Sequence, residues 1–455
     1  MHFELTKEYL ENLRELIASG NDKRLREELA DMHPADIAEF FDKLRLAEAT
    51  YLFKLLESEK SAEVMIELDE SDREKLLSTL TSKEIAEQVI DNIDSDDAAD
   101  VLAELSDEMQ EEVISHISDR EQQSDIRDLM QYDEDTAGGI MATELIKVHS
   151  NWTISRGIRE MRKQAEDVDQ VYSIYVTDEN DRLLGTLSLK KLLFSPSSMK
   201  TLISDIFEKE QMHYAFPDTS SEDCALLMDK YDMVVMPVVD RNMKLLGRIT
   251  IDDVVDVMKE EAEKDYQLAS GISESVVTDA TIWLHTRSRL PWLLIALCGG
   301  LLVSKVIGVF EEELSKVAIL MIFIPLIAAM GGNVGVQSSA IVVQGLANKS
   351  VSADNILRRL AKEFAIACLN GFICASLLFL YTWLFLDSHA LSFTVSISLF
   401  SVIIFAGLFG TVIPLLLNSL KIDPALATGP FITTSNDLIG LTIYFFWAHQ
   451  FFMVI

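Results

Sequence analysis

The sequence predicts a multi-domain membrane protein: an all-α superhelical N-terminal domain, two tandem α/β modules, a connecting helix and a five-helix transmembrane domain. Three observations predict it. The net charge of −34 lies wholly in residues 1–275, which hold 30 Lys+Arg against 64 Asp+Glu, while residues 276–455 hold nine of each sign. The balanced part contains five apolar segments, each able to cross ~30 Å of hydrocarbon at about 20 residues apiece. The acidic part carries two internal repeats of different period. The corresponding divisions are 1–131 for the helical domain, 132–200 and 201–258 for the two modules, 259–284 for the connecting helix and 285–455 for the spans.

In the first division an apolar anchor recurs every 12 or 13 residues, at Leu44, Leu56, Leu68, Leu80, Ile93, Leu105 and Ile117. Helix-start signals follow several anchors, as in Thr81-Ser82-Lys83-Glu84, Asp94-Ser95-Asp96-Asp97 and Ser106-Asp107-Glu108. Side-chain oxygens there satisfy free N–H groups, and carboxylates suit the positive end of the helix dipole. One turn and one short helix per repeat predict a small superhelical array. Its acidic residues are densest at Asp94, Asp96, Asp97 and Asp100.

The second repeat pairs IYVTDENDRLLGTLSLKKLL with MPVVDRNMKLLGRITIDDVV, so that Asp178 aligns with Asp240 and Gly185 with Gly247. Each copy reads strand, polar turn, strand, helix. Two such modules in tandem predict pseudo-twofold packing. After Asp253 the chain reads VVDVMKEEAEKDYQL, with Val254, Val257 and Met258 at helical spacing and acidic residues over much of the rest. This helix leads towards the first span and is placed to couple the soluble and membrane parts.

The five spans are expected near 290–310, 317–345, 360–386, 391–419 and 425–455. Lys/Arg bias sets their orientation. His285, Arg287, Arg289, Lys349, Arg358, Arg359, Lys362 and Lys421 mark the cytoplasmic ends, whereas Glu311, Glu312, Glu313 and Asp387, with Lys316, mark the outer loops. The N-terminus is therefore expected inside and the C-terminus outside. The opening MHFELTKEYLENL has no apolar run of the signal-peptide kind, so the acidic part is expected in the cytoplasm. Its charge excludes nucleic acid and anionic lipid as partners of that part, since both attract Lys/Arg. Cys224, Cys298, Cys368 and Cys374 lack metal-ligand spacing and are expected as free thiols.

Two spans look ill-suited to lipid. The second holds Pro325 and Met330-Gly-Gly-Asn-Val-Gly-Val-Gln337; the fifth holds Gly429-Pro430, Thr433-Thr434, Asn436-Asp437 and Gly440. Such residues predict broken helices lining a wet cavity. Asp437 is the one acidic side chain deep inside a span on this reading, and an intramembrane carboxylate marks a functional site by default. Asn333, Gln337 and Gly440 are the accompanying candidates for a pore lining.

The strings HPADIAEFF at 33–41, DSDDAADVL at 94–102, GGNVGVQS at 331–338 and DPALATGPFITTSNDLIGL at 423–441, in this order of parts, resemble the MgtE family of magnesium channels and transporters over nearly the whole chain. In that family the modules are CBS domains and the connecting helix is a plug. The resemblance implies a homodimer in the plasma membrane with a pore on the twofold axis, Mg²⁺ held there by Asp437 of each protomer, and a gating site at Asp423. It implies regulatory Mg²⁺ at Asp96, Asp100, Glu222, Asp232, Asp253, Asp256, Glu261 and Asp265. Lys264 departs from the acidic residue expected in the plug. Mg²⁺ is commonly held by one or two carboxylates with several waters kept, which suits paired Asp437 side chains.

The resemblance further implies closure by cytosolic Mg²⁺ bridging acidic faces that otherwise repel, a population shift by ligand. No GxxxxGK[ST] string occurs, so transport is expected to be non-enzymatic and driven by voltage, at ~2.3 kcal/mol per charge per 100 mV. ATP is a candidate regulatory ligand: Thr250-x-x-Asp253 has the pattern that holds ribose, and Ser188-x-x-Lys191 does not. The competing readings are a CBS-regulated transporter of Co²⁺, Mn²⁺ or another solute, and a non-transporting membrane sensor.

Overall fold

A computed structural model describes residues 5–165, 168, 170–194, 198–209, 212–273, 276, 281–311, 317–347, 356–386, 388–427 and 429–453. Of the charges that orient the spans, Glu312, Glu313, Lys316, Lys349 and Asp387 lie outside the described residues. The chain divides into two compact units, Met1–Lys259 and Glu260–Ile455.

The first unit begins with ten α-helices among the described residues, from α1 (Lys7–Ser19) to α10 (Arg120–Leu129). Alternate helices pack on one another: α3 (Pro34–Phe41) on α5 (Ser58–Glu67), α5 on α7 (Ser82–Gln88), α7 on α9 (Asp107–His116), and α8 (Ser95–Ala103) on α10. That skipping contact makes the row superhelical. The seven anchors all lie in the turns between helices and all reach the shared core of the array. The 12-to-13-residue period is therefore a helix-plus-turn period, with the turn residue pinned inward. Thr81 caps α7 as its sequence suggests. Its hydroxyl accepts from the Glu84 N–H at 3.2 Å, and Glu84 Oε2 accepts from the Thr81 N–H at 2.9 Å. Each bond removes an otherwise orphaned donor.

Two α/β modules follow. In the first, β1 (Ile146–His149) runs parallel to β2 (Ile174–Thr177), which pairs antiparallel with β3 (Leu183–Leu187); α11 (Ile154–Gln164) and α12 (Leu189–Phe194) complete it. The second has α13 (Ser221–Lys230), then β4 (Val235–Val239) antiparallel to β5 (Leu245–Thr250), and then α14 (Ile251–Ala269). The repeat extends down to its turns. Asp178 Oδ1 accepts from the N–H of Asn180 and Arg182 at 2.8 and 2.9 Å, and Asp240 Oδ1 from those of Asn242 and Lys244 at 2.8 and 2.7 Å. These donors hold both carboxyls below their ordinary range. The two turns then pair reciprocally: Leu183 N–H donates to the Met243 carbonyl at 2.8 Å, and Leu245 N–H to that of Asp181 at 3.0 Å. This exchange is the pseudo-twofold contact expected from the repeat.

The second unit holds α15 (Ile282–Val309), a 3₁₀ segment at Ala318–Phe323, α16 (Ile324–Ala347), α17 (Ile356–Phe385), α18 (His389–Ser419), a 3₁₀ turn at Pro424–Ala427 and α19 (Pro430–Met453). Four of these, Ile282–Val309, Ala318–Ala347, Ile356–Phe385 and His389–Ser419, are long and apolar enough to cross a membrane. At about 1.5 Å per residue α19 has the length too, but Asn436 and Asp437 make it more polar. The interior is built from Leu320, Ile327, Val395, Val402, Leu441 and Tyr444, and the Tyr444 hydroxyl donates to the Leu320 carbonyl at 2.9 Å.

Among the described residues the expected breaks lie only at the helix starts, where 3₁₀ segments precede α16 and α19, and not inside the helices. Pro325 sits in the first turn of α16, where a missing N–H costs nothing. The helix then runs unbroken through Gly331-Gly-Asn-Val-Gly-Val-Gln337, and α19 runs unbroken through Thr433–Gly440. The glycines of α16 serve close packing instead. A Cβ at Gly331 would lie 3.1 Å from Val402 Cγ1, and one at Gly332 3.2 Å from Thr433 Cγ2. A Cβ at Gly335 would collide with Asn436 Nδ2. Small residues let membrane helices approach in this way.

The module fold carries a test. A Cβ at Gly247 would lie 2.6 Å from the Ala142 carbonyl oxygen and 3.0 Å from Met141 Sδ. Gly247→Val is expected to destabilise the soluble part by at least ~1–3 kcal/mol, read as a lower urea midpoint at unchanged slope. An unchanged midpoint would contradict the packing described.

Candidate functional site

The first cluster of interest lies where α8 meets the second module. The sequence DSDDAADVL sets Asp94 at the N-cap of α8 and Asp96 and Asp97 in its first turn. Asp94 makes no capping bond to its own helix. It accepts instead from Arg248 Nη2 of β5 at 3.3 Å, and Arg248 Nη1 donates to the Gln170 carbonyl at 3.0 Å. Arg248 is only 4% exposed whereas the Asp94 side chain is 30% exposed, so the tie is buried on the arginine side. Next to it, Ser95 N–H and Oγ donate to Glu144 Oε2 at 3.2 and 2.9 Å. Sequence reading missed Arg248, Ser95 and Glu144 as docking residues. Their partners lie far along the chain, and no local period marks them.

Around that tie the carboxyls crowd. Asp96 is 8% exposed. Burial, and then the charges of Asp97, Asp253 and Asp94, push its carboxyl well above the usual range. Asp97 is pushed up to about 7 by burial and by Asp253, Asp100 and Asp94, with Arg73 opposing. Burial also raises Asp253, against hydrogen bonds from Thr250. Thr250 N–H donates to Asp253 Oδ2 at 3.0 Å, so the pair caps the start of α14. The structure thus brings together Asp96 and Asp253, with Asp100 beside Asp97. It leaves Glu222, Asp232 and Asp256 at the surface, places Asp232 in a left-handed conformation after α13, and ties Glu261 to Lys264 at 3.0 Å. Asp265 is half-buried on α14, which is one helix from the second module into the proposed plug. Among the described residues no three acidic, His or Cys side chains converge closely enough to enclose a metal ion.

The second centre lies in the membrane unit. Asp437 is half-buried in α19, and a Cβ at Gly332 would lie 4.0 Å from its Oδ1. Its neighbour Asn436 is 1% exposed and packs on Gly335. Asn333 and Gln337 are exposed on α16, whereas Gly440 is buried with its Cα face towards Val402. Asp423 is exposed, and its Oδ1 accepts from the Ala425 N–H at 2.8 Å, which caps the 3₁₀ turn before α19. The four cysteines are free.

Comparison with known proteins decides the family. Residues 324–447 match the divalent cation transporter family MgtE, residues 32–135 the MgtE intracellular N domain, and residues 137–197 and 203–260 the CBS domain. The magnesium transporter MgtE of Thermus thermophilus is 32% identical over 440 residues, covering 95% of this chain and 96% of that protein. The chain belongs to the MgtE family. The MgtE of Bacillus subtilis is 33% identical over 318 residues, 70% of each chain. Among solved structures, the cytosolic domain of the Mg²⁺ channel MgtE in complex with ATP is 33% identical with a TM-score of 0.50, covering 54% of this chain and 98% of that one. The soluble part of a magnesium transporter is 26% identical with a TM-score of 0.50, covering 56% and 99%. MgtE proteins are membrane transporters and not enzymes, and the multi-domain membrane architecture read from the sequence is theirs.

The acidic cluster gives a pH prediction. Native Asp97 keeps its proton up to about pH 7, whereas an unfolded chain releases it near its ordinary value. Between those values the folded state binds more protons, so the contribution of Asp97 to stability is greatest at low pH and declines as pH rises towards 7. In chelator, Asp97→Asn is expected to raise the melting temperature of the cytosolic part at about pH 8 and to leave it nearly unchanged at about pH 4. Equal effects at the two pH values would contradict the placement of this carboxyl.

Proposed function

We propose that this chain takes up Mg²⁺ across the plasma membrane through a homodimeric pore, and that cytosolic Mg²⁺ closes it. The observation that carries the proposal is Asp437: a carboxylate half-buried in a helix of membrane length, faced by the glycine wall of α16. Two copies about a twofold axis would offer two carboxylates to a hydrated Mg²⁺, which keeps most of its water. With Mg²⁺ as cargo, an inside-negative potential drives entry at about twice ~2.3 kcal/mol per 100 mV. Topology in this proposal places the N-terminal domains in the cytoplasm and the C-terminus outside. Asn333 and Gln337, exposed on α16, are offered as lining groups; Gly440 would act only through its packing on Val402.

The gate in this proposal is the acidic unit. Burial, with mutual repulsion added, raises Asp96, Asp97 and Asp253 above the ordinary carboxylate range, and a divalent ion would relieve that cost. Asp96 and Asp253 would hold one regulatory Mg²⁺ with its waters, and Asp100, beside Asp97, would act through those waters. Glu222, Asp232, Asp256, Glu261 and Asp265 would serve further ions between modules and plug, and Asp423 would act at the pore entrance. Pairs of carboxylates suffice for Mg²⁺ where waters complete the shell. ATP is proposed as a regulatory ligand of the CBS pair, because a relative's cytosolic domain was solved with it and Thr250 and Asp253 stand in ribose-binding spacing.

The test is growth and Mg²⁺ uptake in a strain lacking its own uptake systems. The wild-type chain is expected to restore growth at low Mg²⁺, and Asp437→Ala to lose it at equal membrane expression. Full rescue by Asp437→Ala would remove Asp437 from the conduction path.

A further inference from the structure

In the sequence Glu363 directly follows Lys362 and stands close to Arg358 and Arg359, the cations that mark a cytoplasmic end. The structure turns it inward. Ser338 of α16 is 5% exposed, and its hydroxyl donates to Glu363 Oε1 of α17 at 2.6 Å. A third helix closes the pair: a Cβ at Gly407 of α18 would lie 3.4 Å from Glu363 Oε1, 3.7 Å from Ser338 Oγ and 3.3 Å from Ala367 Cβ. One turn earlier on α17, Arg359 Nη2 donates to the Ile341 carbonyl of α16 at 3.3 Å. The cytoplasmic half of α16 is thus held to α17 by two polar bonds, one of them part-buried where three helices meet.

The other contacts of α16 are of a different kind. Towards α19 it offers Gly331, Gly332 and Gly335 to Thr433, Asn436 and Asp437, and towards α18 the Gly335 carbonyl meets Gly410. Glycines permit the close approach, Asn436 nests against Gly335, and Ile327, Met330 and Val334 of α16 join the apolar core with Val395, Val402 and Leu441. On the side facing α17, the Ser338–Glu363 bond adds a directional tie to that apolar packing. Gly332, Gly335 and Ser338 stand three residues apart, so the Ser338 contact lies roughly 9 Å along α16 from the wall opposite Asp437.

We infer that Glu363 is a positioning residue for ion conduction: by accepting from Ser338 it sets the register of α16, and so the place of the Gly332 wall that faces Asp437. The inference rests on the reading of Asp437 as the conduction carboxylate. Glu363 itself touches no ion. Its effect is on which ions fit and how fast they pass, because the space opposite Asp437 is bounded by a helix that this directional bond holds on its α17 side.

The test uses the full chain in proteoliposomes, with Mg²⁺ and Ca²⁺ flux measured for wild type, Glu363→Gln, Glu363→Ala, Ser338→Ala and Asp437→Ala. Glu363→Gln retains a carbonyl oxygen to accept from Ser338 and is expected to keep the wild-type Mg²⁺/Ca²⁺ ratio. Glu363→Ala and Ser338→Ala lose the bond and are expected to shift that ratio by about tenfold, the scale of one buried hydrogen bond. Ser338→Ala removes a single oxygen, so it remains decisive if Glu363→Ala does not assemble. An unchanged ratio in Ser338→Ala overturns the inference. A Glu363→Gln ratio as altered as that of Ser338→Ala also overturns it, in favour of a direct role for charge. Loss of flux in Asp437→Ala with unaltered ratios at 338 and 363 removes the positioning role alone; normal flux in Asp437→Ala removes both readings.

Discussion

A carboxylate withdrawn from water must find a positive charge, keep a proton or return to solvent. That constraint governs both halves of this molecule. In the first unit Asp96, Asp97 and Asp253 are crowded where α8 docks, and one buried arginine, Arg248, is engaged mainly with Asp94 and a backbone carbonyl. In the second unit Asp437 lies in a helix otherwise suited to lipid. Burial alone would make either arrangement costly. In the proposed function a divalent cation with tightly held water would answer both, since it supplies charge without asking for a dry cage.

The two centres rest on opposite packing solutions. The array and the modules are joined by specific polar ties, Arg248 to Asp94 and Ser95 to Glu144, at positions where carboxyl repulsion works against them. Such a balance can be tipped by a ligand that prefers one arrangement. The membrane unit is joined by glycine surfaces that let α16 lie flush on α18 and α19. A flush helix can approach the Asp437-bearing helix closely enough to form one wall of a narrow path. In the proposed function the continuous helices would serve that end, and a break within them would have left backbone groups to be satisfied at depth.

Much of this was legible in the sequence because it is periodic. The anchors from Leu44 to Ile117 and the matched turns at Asp178 and Asp240 recur at fixed spacing, and apolar runs of membrane length are visible in composition alone. The misread features are those in which one residue type serves two physical ends. Gly331, Gly332 and Gly335 look like helix breakers, yet in a membrane unit they are contact residues. Glu363 sits beside three cations in sequence and faces Ser338 in space, because a helix turns successive residues about 100° apart. Arg248 follows Gly247 in a strand and carries no local signal of its role; its partner is in α8, more than a hundred residues earlier in the chain.

In the proposed mechanism one ion acts as cargo at Asp437 and as lock on the acidic unit. The most direct measurement is Mg²⁺ flux into vesicles reconstituted with the full chain, with external Mg²⁺ and voltage fixed and Mg²⁺ on the side of the acidic domains varied. Flux is expected to be high when that side is depleted and to fall steeply as its Mg²⁺ rises into the millimolar range. Flux that ignores Mg²⁺ on that side would contradict the dual role.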